Sequence, residues 1–104
     1  MEEIAFTMKL KPGFEAEYKR RHDEIWPELS AALTEAGIRD YSIFLDRSSG
    51  ILFGVQKRVN GHSADQLPQL AVMKRWWAYM ADLMDTNPDN SPVVERLEQV
   101  FHQD

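Results

Sequence analysis

The stretch Ile38-Arg39-Asp40-Tyr41-Ser42-Ile43-Phe44-Leu45-Asp46-Arg47-Ser48-Ser49-Gly50-Ile51-Leu52-Phe53-Gly54-Val55-Gln56-Lys57-Arg58-Val59 reads as two strands joined by a turn. Residues 38–45 and 51–59 are rich in β-branched and aromatic side chains, which suit a pleated, half-buried surface, and Asp46 to Gly50 supply the turn chemistry between them. This stretch predicts a β-hairpin, and the elements on either side of it decide the fold.

Upstream, Ile4, Phe6, Met8 and Leu10 alternate with Glu3, Ala5, Thr7 and Lys9, the period of a strand buried on one face. Lys11, Pro12 and Gly13 end it. An amphipathic stretch begins at Phe14, and Pro27 removes a backbone donor and biases Trp26 away from helical geometry, so two helical pieces should meet near Trp26. The second piece, Glu28 to Ala36, stops at Gly37, a suitable left-handed cap. Downstream of Asn60 and Gly61 lies a weakly patterned stretch. From about Ala71, Val72, Met73, Trp76, Trp77, Met80, Leu83 and Met84 then mark the broad apolar face of a further helix. Asn87 to Pro92 is dense in turn formers and reads as an ordered loop or surface crossing. The tail is ambiguous, because Val93, Val94, Leu97, Val100 and Phe101 fit helical spacing better than alternation. The order strand, helix, strand, strand, helix nevertheless matches the split βαβ arrangement, whose last element completes an antiparallel sheet. Residues 93–102 are therefore predicted as a strand with an irregular start.

The expected fold is α+β: one ferredoxin-like sandwich over residues 1–104, with an antiparallel sheet. Helices on one face leave the other face of the sheet without cover, and no further element of the chain can supply it. A homodimer of the dimeric α/β-barrel type is expected.

The balance of charges narrows the function. Twelve basic against seventeen acidic residues give a net charge of -5, which works against a polyanionic partner, so no nucleic acid is expected. Lys19, Arg20 and Arg21 form the only basic cluster and read as a solvated helix side. The chain has no cysteine, which excludes disulfides and thiolate metal sites. Met1 to Leu10 lacks the layout of a secretory signal, and no apolar run approaches the roughly 20 residues that cross a bilayer. A cytoplasmic protein without a membrane partner is expected. There is no Gly-rich loop opening a helix, no paired histidines at metal-ligand spacing and no Gly-x-Ser-x-Gly motif, so neither a metal nor a nucleotide cofactor is expected.

Chemistry must then come from polar groups in apolar positions. In the line Phe14, Tyr18, His22, Ile25, the 3.6-residue repeat turns two polar side chains inward. His62 falls in a loop and His102 near the end, so His22 is the one histidine inside a strong apolar pattern. A lone inward histidine is more often a hydrogen-bonded core residue than a catalyst, but it has company. Tyr18 precedes it by one turn, and Tyr41 shares the strand face of Ile43 and Leu45, which could pack on the first helix. Trp76 and Trp77 point about 100° apart on their helix, so the two rings cannot fill one core site and one of them can line a cavity. Aromatic walls with a few placed polar groups suit a sugar, whose C–H faces need flat rings and whose hydroxyls need His and Tyr. Asp23 and Glu24 point to other sides of the helix and read as surface residues.

The run Tyr18-Lys19-Arg20-Arg21-His22-Asp23-Glu24-Ile25-Trp26-Pro27-Glu28-Leu29 closely resembles the signature of the L-rhamnose mutarotases. Two further blocks agree with it: the run from Arg75 to Met80, continuing through Asn87 to Pro92, and the strand from Tyr41 to Asp46. The resemblance spans nearly the whole chain in order and departs mainly between Gln56 and Leu70 and at Gln103 and Asp104. It implies a dimeric ferredoxin-like isomerase that interconverts the α and β anomers of L-rhamnose without a cofactor. Carried over by position, the proton-donating histidine is His22, and the sugar-contacting residues are Tyr18, Tyr41, Trp76 and Trp77. The resemblance leaves the base open among a tyrosine, a carboxylate and water. Two other readings share the architecture or the pocket: a haem-degrading or cofactor-independent monooxygenase of the same fold, and a non-catalytic sugar-binding module.

Overall fold

The alternation that predicts the first strand is realised as β1 (Glu2–Lys9), which lies inside a four-stranded sheet. The structure, a computed structural model, describes residues 1–104. After β1 come α1 (Glu15–Asp23), α2 (Pro27–Glu35), β2 (Ile38–Asp46) and β3 (Ile51–Arg58). A 3-10 turn over Ala64–Gln69, α3 (Ala71–Met80), a second 3-10 turn over Ala81–Leu83 and β4 (Glu95–Arg96) complete the chain. The sheet order is β2-β3-β1-β4 with every pairing antiparallel, the ferredoxin-like arrangement expected from the element order.

One face of the sheet carries the core. Ile4, Phe6 and Met8 of β1 and Leu52 of β3 are buried there, together with Leu29 of α2 and Val72, Met73, Trp76 and Met80 of α3. The break between α1 and α2 follows the expectation. Trp26 is extended (φ -61°, ψ 129°), Pro27 takes the first helical position where no donor is needed, and the Trp26 carbonyl accepts from Ser30 at 3.0 Å. Gly37 closes α2 at φ 92°, where an added Cβ would stand 2.6 Å from the Val59 side chain; that close approach lets β2 start beneath the end of the helix. Gly54 matters for the site, because a Cβ there would lie 2.5 Å from the Phe6 ring. Phe6 can therefore lie flat across β3, with its ring 6.2 Å from that of Tyr41.

The hairpin is not regular. Arg39 pairs with Lys57 and Ser42 pairs with Val55, so Asp40 and Tyr41 together oppose Gln56. This β-bulge puts Asp40 at φ 48°, and it allows Ile38 to enter the core while Tyr41, three residues on, also faces inward alongside Ile43 and Leu45.

The loop from Asn87 to Pro92 is ordered as expected. The Asn87 amide donates to the Ser91 carbonyl at 2.8 Å, and Asp89 accepts from the Ser91 amide at 3.0 Å. The tail departs from the expectation of a strand over 93–102. Only Glu95 and Arg96 pair, with Thr7 and Phe6, and the Leu97 amide adds one bond to the Ala5 carbonyl at 2.9 Å. The spacing of Val93, Val94, Leu97, Val100 and Phe101 explains this, since a strand built from it cannot turn those side chains to one buried face. All five remain exposed. On the sheet face away from the helices, Phe44 is 63% exposed beside its cross-strand partner Phe53. No helix is long and apolar enough to cross a membrane.

Candidate active site

His22 lies in the last turn of α1, and Tyr18 sits one turn before it. Their rings stack at 4.3 Å with planes 30° apart, and the edge of Trp76 from α3 meets His22 at 5.3 Å and 89°. Trp76 in turn packs on Trp26 at 5.1 Å and on Tyr79 at 5.7 Å, so an aromatic wall runs from the α1–α2 junction to α3. Arg21 fastens this wall. Its guanidinium lies 4.4 Å above the Tyr79 ring and donates to the Tyr79 carbonyl at 2.6 Å, to Asp82 at 2.9 Å and to Glu17 at 2.7 Å. The reading of the basic cluster as a solvated side thus holds for Lys19 and Arg20, which pair with Asp23, Glu17 and Glu24 on the surface, but not for Arg21. Arg21 is 12% exposed because it fills the seam between α1 and the end of α3. The paired guanidiniums, Arg20 first and then Arg21, hold the Glu17 carboxyl at a pKa of about 2.

The protonation of His22 follows from its geometry. Nδ1 lies 3.1 Å from the Tyr18 carbonyl oxygen, which can only accept, so Nδ1 carries the hydrogen. Nε2 is then the titrating position, and no side chain or backbone group of the protein pairs with it. Burial lowers the pKa of the imidazole below its ordinary 6.5, while the Tyr18 carbonyl and Asp23 act in the opposite direction. At neutral pH His22 therefore rests uncharged, with a lone pair on Nε2. The phenols are shifted the other way. Burial raises the Tyr18 hydroxyl well above its usual range, with Tyr41 adding to the effect, and burial pushes Tyr41 to about 12 against the pull of Arg58. Tyr41 nevertheless keeps 37% of its surface accessible. Both phenols are protonated hydrogen-bond donors at neutral pH.

These residues meet at a cavity of about 930 Å³ between the helices and the inner face of the sheet. Tyr18, His22, Tyr41, Trp76 and Trp77, all five residues singled out in the sequence, are on its wall. The volume falls in the range of small-molecule sites and exceeds what a monosaccharide needs. No cluster of three or more His, Cys, Asp or Glu side chains is placed to hold a metal ion. Asp23 and Asp40, two carboxylates at the cavity, are engaged by Lys19 at 2.8 Å and Lys57 at 3.5 Å. Sequence reasoning missed Arg21 and Tyr79, whose roles depend on helix packing. It also missed Gln56 and Arg58, which line the same cavity from β3.

Comparison with known proteins agrees with this geometry. Residues 3–103 match the family model described as L-rhamnose mutarotase. The chain is 64% identical over 102 residues to an L-rhamnose mutarotase of Acidiphilium cryptum, covering 98% of each chain. It is 61% identical over 100 residues to one of Flavobacterium johnsoniae, covering 96% of this chain and 94% of that one. Among solved structures, it superposes with a TM-score of 0.93 on an L-rhamnose mutarotase from Formosa agariphila, at 44% identity and over all of both chains. A conserved protein of Methanosarcina mazei, with a TM-score of 0.62 and 15% identity over 93% of this chain and 90% of that one, is similar in fold alone.

Proposed function

The chain belongs to the L-rhamnose mutarotase family, and from that premise we propose that its cavity opens and recloses L-rhamnopyranose, with His22 moving the proton. The activity is that of an isomerase interconverting the α and β anomers of L-rhamnose. The observation that carries the reading is the resting state of His22, a residue on the cavity wall with Nδ1–H bound to the helix and Nε2 without a partner in the protein. Mutarotation removes a proton from the anomeric hydroxyl and delivers one to the ring oxygen. These two oxygens share one carbon, so a single imidazole nitrogen can serve both in turn. Nε2 takes the hydroxyl proton as the ring C–O bond breaks, then donates it to the departing ring oxygen. The aldehyde carbon rotates, and the reverse sequence closes the ring on its other face. His22 thus remains the proton donor to the ring oxygen, and the base needs no second residue. Tyr18 and Tyr41, held protonated, orient substrate hydroxyls, while Trp76 and Trp77 cover the ring and its methyl group.

Saturation-transfer NMR on L-rhamnose tests the activity. Anomer exchange should be faster with the protein than in buffer, and binding without acceleration would reduce the protein to a sugar-binding module.

We also propose a homodimer, formed by a second copy against the open face of the sheet that carries Phe44. Light scattering on the purified protein should give the mass of two chains, and Phe44→Asp should shift it towards one. A wild-type mass of a single chain would end this assignment. The compartment proposed is the cytoplasm, in keeping with a chain free of cysteine.

A further inference from the structure

Gln56 breaks the apolar pattern of the inner sheet face as plainly as His22 breaks that of α1. It occupies the inward series Leu52, Gly54, Gln56 of β3, is 3% exposed, pairs in register with Ile4, and faces Asp40 and Tyr41 across the bulge. A buried amide in such a place costs stability unless its hydrogen bonds are met. Its oxygen is met: Arg58 Nε donates to Oε1 at 2.8 Å. Because an Arg N–H can only donate, this bond fixes which way the amide is turned. The amide nitrogen makes no hydrogen bond within the protein, yet no fully buried nitrogen or oxygen is left unpaired. Nε2 therefore keeps its small accessible area, and the open space beside Gln56 is the cavity.

The two polar sites line one cavity. His22 stacks on Tyr18, the Tyr18 and Tyr41 phenols are close enough to influence each other, and the Tyr41 hydroxyl feels the Arg58 charge. Tyr41 then faces Gln56 across the bulge. Arg58 has little else to hold it, since Asp65 is 4.0 Å away and 88% exposed.

We propose that Gln56 is a specificity-determining binding residue, with Arg58 as its positioning residue. Its amide N–H groups, aimed into the cavity, donate to a hydroxyl oxygen at the C3–C4 edge of the pyranose. This deepens the proposed function and rests on it: with the anomeric carbon and ring oxygen at His22, C3 and C4 form the opposite edge of the ring. A donor with no acceptor role here rewards an oxygen at that edge and loses that partner with a sugar that lacks it.

The test compares L-rhamnose with its 3-deoxy and 4-deoxy analogues in wild type, Gln56→Met and Arg58→Met, using anomer-exchange kinetics. Methionine keeps the length and volume of glutamine without its donors. For Gln56→Met, KM for L-rhamnose should rise about tenfold with the effect on KM rather than kcat, as for loss of a contact made equally in ground and transition states. Wild type should disfavour one of the two analogues by about tenfold, and in Gln56→Met that discrimination should shrink to less than about twofold, because the analogue and the variant remove the same contact. A residue important only for packing would leave the discrimination intact. Arg58→Met, at the edge of the cavity, should blunt the same discrimination and serves if Gln56→Met does not fold. The proposal is overturned if wild type treats all three sugars alike, or if discrimination survives in the folded variants. A wild type that does not accelerate exchange of L-rhamnose overturns the proposed function instead.

Discussion

His22→Ala slows anomer exchange of L-rhamnose by about 10²- to 10⁴-fold, the usual contribution of a positioned acid–base group. Alanine favours the helix, and His22 bonds only to a carbonyl of its own helix, so the variant keeps its fold. Circular dichroism and the melting temperature should show little change, and equal exchange rates for variant and wild type would remove His22 from the mechanism. The pH dependence carries the same assignment further. The working form is neutral, and burial depresses the pKa. The rate should thus stay level through neutral pH and fall on acidification only below the ordinary histidine value of 6.5. Asp23 and the Tyr18 carbonyl oppose this depression, and the protonated phenols of Tyr18 and Tyr41 add no charge. An exchange rate that instead declines as pH rises from 6 to 8 would mean that His22 begins as imidazolium.

Trp76→Ala produces the largest loss of stability. The ring is 7% exposed and touches His22 of α1, Trp26 at the α1–α2 junction and Tyr79 of its own helix α3. Truncating a buried tryptophan costs about 3–5 kcal/mol, against a total of about 5–15 for a typical domain. For a chain of this size, thermal unfolding should shift down by more than about 12 °C. A shift under about 5 °C would show that the aromatic wall collapses around the gap and that Trp76 is not its keystone.

The parts of this molecule that were legible in the sequence are those in which periodicity and burial agree. β1 alternates without a fault, α3 shows one broad apolar face, and Pro27 marks the junction at Trp26. Tyr18 and His22 were legible for the same reason in reverse, as polar groups on an apolar line. Gln56 gives the same kind of signal, a polar residue in the inward series of a strand. It was hidden because Gly54 beside it carries no side chain to mark the face, and because the resemblance to relatives weakens from that point on. The bulge at Asp40 and Tyr41 could not be read from alternation, since an extra residue changes the phase of the pattern without changing its composition. The tail misled because topology argued for a strand while spacing argued for a helix, and the chain adopts two paired residues and little else. Arg21 was indistinguishable in sequence from its neighbours Lys19 and Arg20. Only the approach of α3 decides which of the three is buried.

The hydrogen bond that sets the tautomer of His22 runs to the main chain of Tyr18, whereas the stacking on His22 comes from the Tyr18 side chain. Every residue type at position 18 offers that carbonyl. The proton chemistry is thus inherited with the helix itself, and the side chains around the cavity are free to diverge towards other sugars. A lineage built on this scaffold can change what it recognises without relearning how to move a proton.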